Sequence, residues 1–425
     1  MAWSRPIAIA VVAALAGTAT AQPAQKVTGP VATYWMSAET QSGFGMPGGA
    51  GGRPDRGAMM RMMMGGGQGA QHSLVLQLGS SQKPQGPPQA DHLPPSGLRA
   101  GPRLPLVTPT AQPVQPVEDA PALPREYQKP RGRMLIFWGC GEQARPGQPV
   151  VIDFAKMAAG QVPANVQAMT KGLNVAPMHP PSPARAATYG EWPNAETRTH
   201  VPANGSLVGE HAVQGSYSPQ IRFSLTPDQD FLAALNLTTN APTTGGAVQL
   251  GWNAVPNATG YFASVIGGSE DTVVLWTSAE VQASAFAAPD YLAPAEAARL
   301  VAAKALLSPQ TTRCAVPKEV AAAAPHALVQ LVAFGPEANF VYPPRPSDPK
   351  VAWNKEWQVK VRYRSATGGM LGMAMPGMTT AADDEGPGPG QAAPQQQPKD
   401  KGRKAIMRGL GGALGGALGV PTPGF

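Results

Sequence analysis

Apolar and polar residues alternate in several short runs of this 425-residue chain. In residues 73–78, Leu74, Leu76 and Leu78 alternate with polar or smaller residues, and residues 221–225 show the same period of two. Successive side chains of a β-strand point to opposite faces, so this period indicates half-buried strands. The pattern predicts a mostly β fold.

The same reasoning places most of the remaining elements. Residues 133–138 and 150–154 are short apolar runs joined by a Gly/Pro-rich stretch, which predicts a hairpin with a long loop. Residues 293–307 are the best helix candidate, because Pro294 suits a first turn and the following sequence is rich in Ala, Leu and Lys. Further predicted strands lie at residues 33–36, 248–252, 259–266, 273–276, 327–334 and 357–363.

The last of these strands carries a strong charge pattern. Its apolar positions are Trp357, Val359, Val361 and Tyr363, and its polar positions are Gln358, Lys360, Arg362 and Arg364. An apolar face opposite a basic face is typical of a half-buried strand. We therefore expect an exposed basic face here that is available to a partner.

Two short motifs resemble a known module. Residues 250–252 read Leu-Gly-Trp and residues 258–261 read Ala-Thr-Gly-Tyr. Within residues 248–266 they resemble the second and third strands of a fibronectin type III module. The resemblance implies a β-sandwich in which Trp252 and Tyr261 are core residues between the two sheets. It implies a fold and not an activity.

Composition limits how much of the chain is ordered. The chain contains 49 Gly and 48 Pro, and only 14% of its residues are charged. We expect a Pro-rich β domain at 22–226, with a disordered Gly/Met loop at 43–69. A fibronectin type III-like sandwich follows at 227–365, with the helix 293–307 inserted, and then a disordered tail at 366–425. The predicted fold class is thus one or two β-sandwich-like domains with one helix and long disordered segments.

The first 21 residues have the pattern of a cleavable signal peptide. Arg5 precedes an apolar stretch at 7–15, and Ala19 and Ala21 form a small-x-small cleavage site. We expect an exported protein in the periplasm, at the cell surface or secreted, with no transmembrane span.

The chain has two cysteines, Cys140 and Cys314, which lie 174 positions apart. An oxidising compartment permits a disulfide between them, but the sequence leaves the pairing open. Catalysis by Cys140 would need a histidine base, and the six histidines occur singly without a recognisable context. No catalytic motif is present, so we expect a protein that is not an enzyme.

Methionine provides the second candidate chemistry. Thioethers bind Cu(I) and Ag(I), and two Met-rich runs lie in a flexible glycine-rich context. The second run has M-x2-M-x-M-x2-M spacing, which resembles the methionine motifs of exported copper-handling proteins. The candidate metal ligands are Met59, Met60, Met62, Met63, Met64, Met370, Met373, Met375 and Met378. The alternative is that these runs are ligand-free loops.

The net charge of +7 is spread along the chain and shows no nucleic-acid-binding pattern. One basic cluster lies near the C-terminus at Lys399, Lys401, Arg403, Lys404 and Arg408. The leading hypothesis is a non-enzymatic envelope protein that binds or scaffolds an envelope protein, an acidic polymer or lipid headgroups. The alternative is a periplasmic Cu(I)/Ag(I)-binding protein, and no other cofactor is expected.

Overall fold

A computed structural model describes residues 25–43, 69–109, 132–161, 175–282 and 290–373. The described chain is mostly β, which confirms the predicted class. Its strands are β1 (Val27–Thr28), β2 (Ala32–Gly43), β3 (Gln71–Ser80), β4 (Ala90–Leu93), β5 (Leu104–Pro105), β6 (Arg133–Trp138), β7 (Val150–Asp153), β8 (Thr188–Trp192), β9 (Gly209–Gly215), β10 (Ser218–Leu225), β11 (Leu237–Pro242), β12 (Val248–Trp252), β13 (Gly260–Ser269), β14 (Thr272–Thr277), β15 (Arg313–Val316), β16 (Leu328–Tyr342), β17 (Trp353–Asn354) and β18 (Trp357–Met370). The described helices are α1 (Phe154–Ala158), α2 (Pro294–Ala302) and α3 (Lys318–Ala323), besides two 3₁₀ turns at Ser96–Leu98 and Pro227–Gln229.

The centre of the fold is a nine-stranded sheet in the order β7-β6-β14-β13-β16-β18-β2-β3-β8. Strands β6 and β7 form the antiparallel hairpin that the sequence predicts. Strand β18 pairs in parallel with β2, from Trp357 opposite Ala32 to Gly368 opposite Gly43. The beginning and the end of the described chain therefore lie side by side in the middle of one sheet.

Two smaller sheets share a core with this large sheet. One has four strands in the order β10-β9-β4-β5, and the other has three in the order β11-β12-β15. Alternate residues of β2, such as Tyr34 and Met36, belong to the same apolar cluster as Ile221 and Phe223 of β10. Trp252 of β12 belongs to it as well. This cluster is the main core, and it places both small sheets against the large one.

The opposite face of the nine-stranded sheet is covered differently along its width. At one place α2 contributes Leu300 to a second apolar cluster with Phe262 and Phe334. Towards the β7 edge, a third cluster contains Met134 and Ile152 and packs against the start of α1. Helix α1 begins after Asp153, whose carboxylate accepts hydrogen bonds from two backbone N–H groups of its first turn. Farther from the β7 edge, where β18 pairs with β2, this sheet face is polar.

Several predicted boundaries need correction. The final strand, predicted at 357–363 in a domain that ends at 365, continues to Met370, because β16 and β2 offer backbone partners on both sides. Residues 366–370 of the predicted disordered tail therefore belong to the sheet. The predicted helix at 293–307 ends earlier, at Ala302. Lys304 has a φ of 58°, which turns the chain so that Leu307 pairs with Tyr261 of β13.

The nine-stranded sheet takes strands from both segments that the sequence treats as separate domains, since β2, β3, β6, β7 and β8 precede residue 226 and the others follow it. The sheet therefore does not divide at that position. Within the described ranges, no helix is long and apolar enough to cross a bilayer. The predicted signal peptide at 1–21 lies outside the described residues, as do residues 44–68 of the predicted loop and residues 374–425 of the predicted tail.

Candidate functional site

The polar face of the large sheet is a ladder of aligned side chains. Parallel register sets Lys360, Arg362 and Arg364 of β18 opposite Trp35, Ser37 and Glu39 of β2, in that order. On its other side, β18 faces β16, where Glu337 lies opposite Arg362. Because side chains alternate along each strand, all these residues project from the same face.

Arg364 is at the buried end of this ladder. Its Nη2 donates to Oε2 of Glu39 at 3.0 Å, and its Nη1 donates to Oδ1 and to the backbone carbonyl of Asp290 at 3.1 and 3.0 Å. The ring of Tyr291 lies 5.0 Å from its guanidinium carbon. Burial opposes the charge of Arg364, but Tyr291, Glu39 and Asp290 raise its pKa overall, so it remains a cation.

Arg362 lies between two aromatic rings. Its guanidinium carbon is 4.2 Å from the centroid of Tyr291 and 5.0 Å from that of Trp35. Its Nε donates to Oγ of Ser37 at 2.8 Å, and its Nη1 approaches Sδ of Met178 at 3.8 Å. Burial lowers the pKa of this guanidinium, since the contacts around it are largely to rings and sulfur. It still carries its charge, because an arginine stays protonated at any physiological pH.

These contacts contradict the prediction of an exposed basic face on the final strand. Arg362 and Arg364 are only 7% and 6% exposed. Lys360 pairs with Glu337, whose side chain is 6% exposed. The cluster therefore supplies its own counter-charges, and the covering groups come from segments distant in sequence. These ion pairs link neighbouring strands and the covering segments, and they leave Arg362 and Arg364 little exposed surface for an anion to contact.

Next to this cluster the same sheet face opens into a groove. Two half-open cavities of about 450 and 200 Å³ share Trp35 and Gln358 in their walls. We call this feature the Trp35 groove. Trp35 is held in place by Arg362 on its ring and by Lys360, whose Nζ is 5.4 Å from the ring centroid.

The larger cavity is closed on one side by residues 179–187, which contribute His179, Pro181 and Arg185. This segment lies close to the sheet at Gly79, where an added Cβ would be 3.0 Å from Cβ of Pro181. Gln77 reinforces the contact by donating to the carbonyl of Pro181 at 3.4 Å. The absence of a side chain at Gly79 thus allows the segment to form a wall of the groove.

The smaller cavity is bordered by Trp353 and Lys355. Trp353 is fixed by its indole N–H, which donates to the carbonyl of Pro343 at 2.9 Å. The cationic ends of Arg345 and Lys355 lie 5.6 and 5.4 Å from its ring centroid. Within the described part of the chain, neither Lys355 nor Arg185 takes part in an ion pair. The groove is therefore bordered by positive charge at both ends.

The structure places the two cysteines and the two aromatic residues of the resembling module away from this groove. Cys140 and Cys314 are joined in a disulfide, which links the end of β6 to β15. Trp252 and Tyr261 are buried and pack together with their rings 5.7 Å apart, one in the three-stranded and one in the nine-stranded sheet. The resemblance to a fibronectin type III module stays a prediction.

The methionine hypothesis also stays a prediction. Met370 and Met373 lie at the end of β18 and just after it, where both backbone carbonyls accept from Nδ2 of Asn240. The other candidate ligands, Met59, Met60, Met62, Met63, Met64, Met375 and Met378, lie outside the described residues. Among the described residues, no group of three or more His, Cys, Asp or Glu side chains is arranged to hold a metal ion.

Sequence reasoning assigned no functional role to Trp35, Glu39 or Tyr291. The segment around Trp35 is recognisable only as an aromatic strand, and Tyr291 lies just before a helix with no motif around it. The odd-numbered positions of β2 carried a usable signal, since Thr33, Trp35, Ser37 and Glu39 form a polar face with one aromatic residue. No protein-family model, curated protein or solved structure matches this chain.

Proposed function

We propose that this chain is a non-enzymatic, exported binding module of the cell envelope, and that the Trp35 groove receives a segment of an acidic polymer. The observation that carries the proposal is the pair of adjoining cavities on one sheet face, bordered by Arg185 at one end and Lys355 at the other.

The shape of the groove supports an extended ligand. Its two cavities meet at Trp35 and Gln358, so a chain-like molecule can occupy both. The side-chain amide of Gln358 donates to Thr33 at 3.4 Å, a long bond that leaves the amide available to a ligand oxygen. Asn339 adds a second amide in the smaller cavity.

The charges around the groove support an anionic ligand. Arg364 is paired with Glu39 and Asp290, and Lys360 is paired with Glu337, whereas Arg185 and Lys355 have no carboxylate partner among the described residues. Positive charges at the ends of a cleft attract a polyanion and orient it along the cleft. The hydroxyls of Ser80 and Ser81 in the groove wall donate to the backbone carbonyl of Val31 and not to His179 in the same wall, which favours binding over catalysis.

Equilibrium binding of a charged and an uncharged polymer tests the proposal. Dextran sulfate is the probe, and unsulfated dextran is its matched neutral counterpart. We expect dextran sulfate to bind and dextran to bind weakly or not at all. Neutralising one groove cation, by Arg185→Gln or Lys355→Gln, weakens binding by about fivefold, because one charge pair near 4 Å in water contributes about 1 kcal/mol.

The control is Arg313→Gln, which removes an exposed cation from β15 in the three-stranded sheet. It lowers the net charge equally but leaves the groove unchanged. Equal losses in all three variants would show that binding follows total charge, and would contradict a role for the groove. A second control neutralises the basic cluster at 399–408, which also attracts polyanions.

A further inference from the structure

A chain of hydrogen bonds joins the large sheet to the four-stranded sheet on the face opposite the Trp35 groove. Tyr34 Oη lies 3.0 Å from Nδ1 of His92. Nε2 of His92 lies 3.2 Å from Nδ1 of His211, and Nε2 of His211 lies 2.7 Å from the carbonyl oxygen of Leu207. All three side chains are fully buried.

The chain has one consistent arrangement of protons. The Leu207 carbonyl only accepts, so Nε2 of His211 carries hydrogen and its Nδ1 is an acceptor. His92 must then donate from Nε2 to that nitrogen, and its own Nδ1 accepts from the Tyr34 hydroxyl. Both imidazole rings are neutral in this arrangement, and each N–H and O–H group of Tyr34, His92 and His211 that takes part in these hydrogen bonds has an acceptor.

An added proton breaks this arrangement wherever it is placed. A proton on Nδ1 of His92 removes the acceptor of the Tyr34 hydroxyl. A proton on Nδ1 of His211 places two N–H groups face to face, because Nε2 of His92 also carries hydrogen. If His92 adopts its other tautomer, its Nδ1 carries the hydrogen instead and no longer accepts from the Tyr34 hydroxyl. In each case a buried O–H loses its partner and a net charge enters the core.

Among the described residues, no carboxylate forms an ion pair with either histidine. Asp230 accepts from the backbone N–H of Leu207 at 2.7 Å and from Oγ of Ser206 at 2.6 Å, and not from a histidine ring. The rings packed around the histidines are Tyr34 and Phe223, and Phe223 packs in turn on Phe340. The carboxylates next in sequence, Asp91 and Glu210, lie on the other faces of β4 and β9. There they pair with Arg103 and Arg222 at 3.5 and 3.1 Å.

We propose that Tyr34, His92 and His211 form an acid-sensitive lock, which holds the four-stranded sheet on the large sheet at neutral pH and releases it when a proton enters. Tyr34 and Trp35 are consecutive residues of β2 and project from opposite faces. Release of the four-stranded sheet therefore removes the support beneath the Trp35 groove. This consequence for ligand binding rests on the proposed function, whereas the lock itself does not.

The direction of the pH effect follows from the histidines. Burial lowers the pKa of His92 well below its usual range, with a smaller contribution from His211, and burial also lowers the pKa of His211. The unfolded chain then binds protons that the folded chain rejects. The stabilisation is complete above about pH 6.5 and is lost as the pH falls below that value.

The first test is urea unfolding at about pH 7.5, 6.5 and 5.5, values that span the ordinary histidine pKa. The variant His92→Asn/His211→Gln keeps hydrogen-bonding groups but does not titrate. We expect the unfolding constant of the unmodified protein to rise by up to about tenfold per pH unit for each proton taken up below pH 6.5. The double variant shows a much smaller rise. His200→Asn is the control, because His200 is exposed.

A residual rise in the double variant is expected from His72, whose pKa is also lowered by burial and which stacks on Phe231. An equal rise in the double variant and the unmodified protein would overturn the lock. If the double variant does not fold, nitrogen-15 NMR of labelled histidines in the full unmodified chain decides instead. Both rings should be Nε2–H tautomers that stay neutral in the folded protein, and a buried ring that titrates near pH 6.5 without unfolding would contradict the proposal.

Dextran sulfate binding at the same pH values tests the link to the groove. The protein gains positive charge in acid, so simple electrostatics predicts that the polyanion binds more tightly at low pH. The lock predicts that binding of dextran sulfate to the unmodified protein weakens as the pH falls. It predicts no such weakening in the double variant. Absence of binding at pH 7.5 would refute the proposed function, and the unfolding experiment would still decide whether the lock exists.

Discussion

Arg364 donates a hydrogen bond to Glu39 at 3.0 Å, although the two residues lie 325 positions apart in the chain. The parallel register of β18 and β2 places them directly opposite each other. Both side chains are more than nine-tenths buried. This ion pair therefore forms at the place where the beginning and the end of the described chain meet.

Replacement of Glu39 by glutamine should strongly destabilise the fold. The change keeps the size of the side chain but leaves the buried Arg364, among the described residues, with only the partly exposed Asp290 as an ionic partner. Removing one partner of a buried ion pair costs about 3–5 kcal/mol. Chemical denaturation measures the loss. Glu210→Gln is the matched control, because its exposed pair with Arg222 should contribute at most about 1 kcal/mol. Equal effects at the two sites would contradict the structural role of the buried cluster.

The disulfide should stabilise the protein by connecting two sheets. Cys140 follows β6 of the large sheet and Cys314 lies in β15 of the three-stranded sheet. The bond closes a loop of 174 positions and so restricts the unfolded chain. We expect Cys140→Ala/Cys314→Ala to lower the free energy of unfolding by about 2–4 kcal/mol. Alkylation of the native, unreduced protein should find no free thiol, and labelling of both cysteines would refute the bond.

Stability should also decrease at alkaline pH because of buried phenols. Burial raises the pKa of Tyr291 above its usual value, and it does the same at Tyr189 and Tyr363. The unfolded tyrosines lose protons near pH 10, so folding stability is intact below about pH 10 and falls above it by up to about 1.4 kcal/mol per pH unit for each group. Tyr291→Phe removes one such group and keeps the ring beside Arg362, so its alkaline loss should be smaller.

The measurement for this prediction is urea unfolding at pH 9 and pH 11, which span the ordinary tyrosine pKa of about 10. Tyrosinate absorbance followed in parallel should appear together with unfolding. Tyr342→Phe serves as the control, since Tyr342 is 47% exposed. If phenolates formed fully in the folded protein, the assigned burial of these side chains would be incorrect.

The local pattern of apolar and polar residues was sufficient to predict those strands whose bounds are determined by their own residues. The bounds of β6 and β12 agree with the predicted strands at 133–138 and 248–252, and β6 pairs with β7 as predicted. Here alternating or continuous apolar residues bounded by Gly, Pro and polar residues determine the element. The mostly β class could be predicted for the same reason.

Long-range pairing could not be predicted. The segment Ala366–Met370 contains two glycines, yet it continues β18 because the backbones of β16 and β2 lie on either side of it. Strand propensity is weak compared with such pairing. Alternation in β18 correctly identifies which residues share a face, but it does not reveal that Asp290, Tyr291 and Met178 cover that face. For this reason Arg362 was expected in solvent and is buried.

The groove was beyond sequence reasoning for a related reason. Its walls combine β2, β18, the segment 179–187 and the region around Trp353, which are separated by more than a hundred positions at several points. None of these segments carries a binding motif by itself. The order of strands in the large sheet brings β2 and β18 together, and the segments just before β8 and β18 complete the walls.

Hydrogen-exchange footprinting of the full chain with saturating dextran sulfate tests the central proposal most directly. The account predicts slower exchange at residues 30–35, 179–187 and 353–360, which border the Trp35 groove, with no comparable change around Arg313. Protection confined to the basic cluster at 399–408, or absent from all three groove segments, would contradict it.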